Sequence, residues 1–182
     1  MTAYTVSSGV TSTGLTLNGG DTEAVLSGGI SVNTTILGGT ETVSAGGSDS
    51  GTTISSGLET VLSGGTASNV TILGGTLVLD GNASLTNSGS LTIASTLNVD
   101  NSDFDGGGNL TLGGTLNNSG AVSIGNSFLS AVTTVTATGL SNTGTINLDG
   151  SANVQATLDI LGAAPALLGN FTMRSWSLPA AR

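Results

Sequence analysis

The chain has 182 residues, 30 of them Gly, with 11 acidic side chains, two basic ones (Arg174 and Arg182), no Cys and no His, for a net charge of −9. That balance excludes a phosphate-neutralising nucleic-acid binder, polybasic membrane attachment, disulfide frameworks and the usual zinc and copper sites. Charged residues make up 7% of the chain, against roughly 25% in an average soluble protein, yet the low Pro content and regularly spaced β-branched residues exclude disorder as well.

The N-terminus reads MTAYTVSSG, without the basic n-region and apolar h-region of an ordinary secretory signal. An exported product would carry its signal elsewhere or use another route. From about residue 5 to 79 the chain keeps a fixed step. Valines at 25, 43 and 61 are followed by Leu79, isoleucines at 36, 54 and 72 keep pace, and Leu15 and Leu17 precede them. Gly pairs at 19–20, 28–29, 38–39, 46–47, 64–65 and 74–75 punctuate the series, with Ser56-Gly57 in place of one pair. Period-two alternation around each apolar residue predicts strands, and the Gly pairs supply the positive φ that tight corners require. Each unit of eighteen or nineteen residues is therefore predicted as strand, corner, strand, corner, one coil of an all-β solenoid of about eight coils. The few inward side chains of one coil cannot offset the entropy of ordering its backbone, so stability is predicted to belong to the stack.

Within this run Glu23, Glu41 and Glu59 repeat at the eighteen-residue step, which would stack them about 4.8 Å apart. Like charges placed that way repel, so the side chains are expected to splay into water at a corner. The alternative is a line for cations or a carboxylate row with raised pKa values. These glutamates share the parity of the inward valines, which leaves partial burial open.

From about residue 80 to 160 the pattern loosens into Leu-x-Asn-x-Gly-x-Leu-x-Ile. It reads Leu85-Thr-Asn-Ser-Gly-Ser-Leu91-Thr-Ile93, then Leu116 to Ile124, then Leu140 to Leu148, copies that stand 31 and 24 residues apart. A constant strand-turn-strand core with loops of varying length explains that spacing, and Asn-x-Gly suits the left-handed turn between strands.

Asp100, Asn101, Asp103 and Asp105, followed by three glycines, form a dense oxygen-ligand cluster and make Asp100, Asp103 and Asp105 the calcium candidates. Counted from Asn101, the twelfth position is Leu112 where an EF-hand needs Glu, so a solvated acidic loop is the expected state. The enzymatic alternative is a polysaccharide lyase or hydrolase on a β-helix. A paired-carboxylate hydrolase would fall on Asp103 and Asp105, but a Gly loop offers little to shift a pKa, and a lyase would lack Lys. The chain is read as non-enzymatic, without a cofactor. The sequons at Asn33, Asn69 and Asn109 are expected by chance in so Asn- and Thr-rich a chain.

From Leu161 to Arg182 both patterns stop. This irregular tail holds Trp176, Pro165, Pro179 and both arginines. It is expected to be a cap, with Phe171 and Trp176 over the last coil, or a fragment end or an out-of-frame read-through. The apolar stretch 158–169 contains Asp159 and Pro165 and is too short to span a bilayer, so no direct membrane insertion is predicted.

The run Thr40-Glu-Thr-Val-Ser-Ala-Gly-Gly, preceded by Gly38-Gly39, and its sister Leu58-Glu-Thr-Val-Leu-Ser-Gly-Gly-Thr-Ala resemble the passenger repeats of AIDA-type autotransporter adhesins. The resemblance covers residues 5–79; residues 80–160 resemble the looser coils of autotransporter and filamentous-haemagglutinin-like passengers, and 161–182 stand outside it. It implies a right-handed parallel β-helix, extracellular at a bacterial surface, serving adhesion, self-association or biofilm. Partners implied are host or abiotic surfaces or like molecules. It also implies modification by a glycosyltransferase, with Thr34, Thr35, Thr52, Thr53 and Thr71 as O-glycosylation candidates by their place in the repeat. The family's cleavable signal and C-terminal outer-membrane barrel are not matched in these residues. Similar repeats also stand at the front of larger bacterial proteins, so a structural stalk or spacer of a larger secreted protein is the alternative.

Overall fold

The computed structural model describes residues 1–101, 106–162 and 169–174, and every helix-or-strand element among them is a strand. All of the strand pairings are parallel. The coil that starts at Thr22 shows the plan. The strand Thr22–Val25 turns through Gly28 into Ile30–Val32, which turns at Asn33 into Thr35–Val43. That last strand bends at Gly38 (φ 100°), so its first part closes one coil and its second part opens the next. Thr53–Val61 repeats the device at Gly57 (φ 92°). Two faces of the coil therefore belong to one sheet of 14 strands, and the third face to a sheet of eight. The eight strands of the smaller sheet mark about eight coils, a parallel β-solenoid.

A coil thus has three strands, where the spacing of apolar residues predicted two. The third face was hidden because its inward residues in the early coils are Ser12, Ser31 and Asp49, which give no hydrophobic signal. Further along the same sheet the inward positions become Ala67, Leu85, Leu110, Val135 and Leu158.

Val6, Val25, Val43, Val61, Leu79, Val99, Ile124, Leu148 and Met173 are successive partners in one unbroken ladder. Its step is 18 to 20 residues as far as Val99 and 24 or 25 beyond. The change of sequence pattern near residue 80 is a lengthening of the coil, with no break in the core. Leu17, Ile36, Ile54, Ile72 and Ile93 form a second ladder, which continues as Asn118 and Asn142.

The Leu-x-Asn-x-Gly motif serves at two different corners. Leu85 pairs with Leu110 on the smaller sheet, whereas Leu116 pairs with Leu91 and Leu140 on the larger one. The 31-residue interval is thus one coil plus one strand, against one coil for the 24-residue interval. Nor do these asparagines make left-handed turns. The described non-glycine residues with positive φ are Asn33, Asn69 and Asp100. Asn87, Asn118 and Asn142 are instead buried. Asn87 donates to Val70 O (2.9 Å) and accepts from Val70 N (3.0 Å). Asn118 donates to Asn142 Oδ1 (2.8 Å) and to Thr145 O (2.9 Å). Their amides satisfy the corner backbone that leaves the ladder.

The segment expected to be irregular also contributes. Asn170–Arg174 is a strand paired with Thr145–Asp149, which sets Phe171 beside Ile146 and Met173 beside Leu148. Phe171 stays 37% exposed. Trp176, named with Phe171 for the cap, lies outside the described residues, as do Pro165, Pro179 and Arg182.

Candidate functional site

Strand parity decides the fate of the glutamates. Glu23, Glu41 and Glu59 stand two residues before Val25, Val43 and Val61, so they point to the same side as those inward valines. They are paired rungs, and at 1%, 0% and 0% exposure they are sealed inside the solenoid. The expectation that they splay into water is overturned. No corner falls at this position, so the side chains have no outward route.

What makes the burial tolerable lies across the lumen. Ser31 and Asp49 on the smaller sheet, with Thr34 and Thr52 just past the next corner, are all buried and face the row. Thr34 Oγ1 donates to Glu23 Oε2 (3.2 Å), and Ser31 Oγ lies 3.5 Å from the same oxygen. Thr52 Oγ1 sits 3.3 Å from Glu41 Oε2 and 2.8 Å from Asp49 Oδ1. One hydroxyl has one proton, so Thr52 can donate to only one of the two acids, and the other is met only if it carries a proton of its own. Sequence reasoning missed Ser31, Asp49 and Thr52 as partners of the row. Their own step of about eighteen residues was a signal, but strand parity alone does not say which faces meet across a lumen.

Burial, then the neighbouring charges of Asp49 and Glu23, pushes the Glu41 carboxyl up to about 9. Burial likewise raises Asp49 to about 6 against the hydrogen bond from Thr52. Glu59 is driven up by burial, then by Asp49 and Glu41. Among the described residues no group of three or more His, Cys, Asp or Glu is placed to hold a metal ion.

Of the calcium candidates, Asp103 and Asp105 lie outside the described residues. Asp100 is buried, and its Oδ2 accepts from Gly108 N (2.7 Å) and from Thr133 Oγ1. Those bonds use Asp100 to tie together neighbouring turns of the chain, so the solvated acidic loop expected at this position does not include it. The O-glycosylation candidates divide by parity. Thr34 and Thr52 are fully buried, which removes them as acceptors in the folded protein, because they fill the inward corner position that Leu15 and Val70 occupy in other coils. Thr35 and Thr53 are half-buried and Thr71 is exposed, all on the outer side of their strands.

Among the described residues the outward positions of the smaller sheet are nearly free of charge. On the smaller sheet the outward pairs read Thr11/Thr13, Ser48/Ser50, Thr66/Ser68, Ser84/Thr86 and Thr134/Thr136, interrupted by Ile30/Val32 and Asn109/Thr111. The carboxylate of Asp159 appears only at the far end. On the larger sheet a shallow groove of about 300 Å³ is lined by Asn101, Ser123, Gly125, Asn147, Leu148, Asp149 and Thr172. Ser123, Asn147 and Thr172 are successive rungs of one outward column. Amide and hydroxyl groups dominate it, and the chain has no His or Lys to serve Ser123 as a base.

No family model matches the chain, and no curated protein matches it. Among solved structures it is similar to the crystal structure of a TibC-catalyzed hyper-glycosylated TibA55-350 fragment, at 22% identity, over 94% of this chain and 85% of that one, with a TM-score of 0.43. The fold stands on the strand register described above.

Proposed function

We propose that this chain is a non-enzymatic, surface-displayed segment of a bacterial adhesin of the autotransporter-passenger kind, acting outside the cell in adhesion, self-association or biofilm. The observation that carries the reading is the outward face of the smaller sheet. It is a repeated array, mostly of hydroxyls and with almost no charge, at about 4.8 Å from strand to strand. Each contact on such a face is weak, and the repetition makes the sum strong through avidity. A neutral face also meets another copy of itself, or a neutral polysaccharide or abiotic surface, without charge repulsion. The resemblance of the repeats at 38–47 and 58–67 to AIDA-type passengers supports the same reading. Glycosyltransferase modification then falls on Thr35, Thr53 and Thr71, whose strands turn them outward.

The unbroken ladder from Val6 to Met173 favours a second reading, a stiff stalk that spaces another module. The double variant Thr111→Lys, Thr136→Lys separates the two. Both side chains face outward, so the melting temperature should change by no more than a degree or two. Adhesion predicts that attachment of cells or coated beads to a surface falls severalfold; unchanged attachment leaves only the stalk.

A further inference from the structure

The adhesive reading makes no use of the interior of the early coils, which is chemically unlike the rest of the core. Along the Glu ladder the rungs run Tyr4, Glu23, Glu41, Glu59, Leu77 and Leu97. A stretch of acids is thus inserted into a column that is otherwise aromatic and aliphatic. Both carboxyl oxygens of Glu59 are buried without a hydrogen-bond partner, as are Glu41 Oε1, Glu23 Oε1 and Asp49 Oδ2. Glu59 lies between the Glu41 rung and the apolar Leu77 rung. A fully enclosed carboxylate with neither donor nor counter-charge is one of the costliest groups a protein can bury.

The neighbouring elements supply no cation. The strand Ala3–Val6 brings the Tyr4 phenol beside Glu23; Ser48–Ser50 brings Asp49; Ile30–Val32 and Thr66–Ser68 bring Ser31 and Ala67; Thr76–Leu79 brings Leu77. The N-terminal ammonium lies 3.5 Å from Asp21 Oδ1 outside the lumen, and Arg174 is in the last strand. With no base nearby and no metal-holding group of acids among the described residues, the proton is the ligand that this chemistry can accept.

We propose that the lumen bounded by Glu41, Asp49 and Glu59 is a proton-binding site that couples closure of the coils spanning residues 22–61 to acidity. The coils close on neutral carboxyls and open when those carboxyls ionise. The direction of the linkage follows from the raised carboxyls. The folded coils hold protons that the unfolded chain releases at the ordinary values of 3.8 for Asp and 4.5 for Glu. The contribution of these carboxyls to stability is therefore complete below about pH 4 and is lost as pH rises, through about 6 for Asp49 and about 9 for Glu41. For each carboxyl concerned, the opening equilibrium rises up to about tenfold per pH unit within its window. Asp21 acts in the opposite sense and only in acid. Its carboxyl, held down chiefly by the Thr2 amide, loses its contribution as pH falls below 3.8.

The test is amide-exchange protection, corrected for intrinsic rates, together with thermal melting at pH 5, 7 and 8.5. It uses the parent chain and Glu59→Leu, which continues the Leu77/Leu97 column. The expected result is that protection of residues 22–61 falls at least tenfold from pH 5 to 8.5 in the parent, while residues 91–148 hold theirs. Glu59→Leu should weaken that dependence and melt higher at pH 8.5. Glu59→Gln, neutral at every pH, serves as the second variant. Protection independent of pH, or the same pH dependence in parent and variants, overturns the proposal. So does failure of both variants to fold at pH 5, where a neutral side chain should stand in for the protonated acid. Protection at pH 8.5 that calcium restores and a chelator removes overturns it too, because a cation then does the neutralising.

Discussion

Val43 is wholly enclosed, with Val25 and Val61 as its paired rungs. Val43→Asp places a second acid two residues beyond Glu41 on the same inward side, where no donor is free to meet it. The loss should be about 4 kcal/mol or more by chemical denaturation at pH 7, in the range that marks an unpaired buried charge. An unchanged denaturation midpoint would contradict the register. Asn118 tests the other kind of polar burial, one that is satisfied. Asn118→Ala removes the donor to Asn142 Oδ1 and Thr145 O and leaves both acceptors inside the corner. About 1–3 kcal/mol should be lost, read from the same denaturation midpoint. The contrast between Asn118, with its partners, and Glu59, without any, shows that position in the lumen matters less than what faces it.

Corners and strands obey a similar division. At Gly57 the chain bends within a continuous strand at φ 92°, and a Cβ there would lie 2.3 Å from the Gly39 carbonyl oxygen. Gly57→Ala should cost about 2 kcal/mol or more, from a left-handed backbone and a clash that no side-chain rotation relieves. Gly89 has an ordinary φ, and a Cβ there meets nothing within 4 Å. Gly89→Ala should leave the melting temperature within a degree or two. Both glycines belong to repeated motifs, so repetition alone does not mark the indispensable one. The same holds for Leu-x-Asn-x-Gly, a strand-corner-strand unit that fits either the corner after Leu85 or the corner after Leu116.

Among the described residues the strand pairings join each coil to its neighbours, so unfolding follows local stability along the stack. The coils from residue 22 to 61 carry acids and hydroxyls in their lumen, while those beyond Leu77 carry Leu85, Leu97, Leu110, Val122 and Ile146. Melting followed by far-UV circular dichroism should therefore be a single transition at pH 5. At pH 8.5 it should separate into an early step for the N-terminal coils and a later one for the rest. A single transition at both values would mean that nearest-neighbour coupling exceeds the difference between the two interiors.

The sequence by itself determined the solenoid, its step and its inward valines, because a strand's parity and an eighteen-residue repeat are local properties that side chains display directly. It also determined that charged side chains are few and almost all acidic. What it could not display is which residues meet across the lumen. Ser31 and Asp49 carry no apolar signal, so the third strand of each coil went unseen, and with it the wall that faces Glu41. Thr34 and Thr35 are neighbours of the same type, yet one is buried against Glu23 and the other faces outward. Counting back from the inward Ile36 separates them by parity, but the partner that Thr34 meets across the lumen is fixed only when the coil closes. Parallel pairing joins residues about eighteen to twenty-five apart, and the lumen then joins faces that never pair at all. For that reason the ladders could be read from spacing, whereas the buried acid site required the tertiary structure.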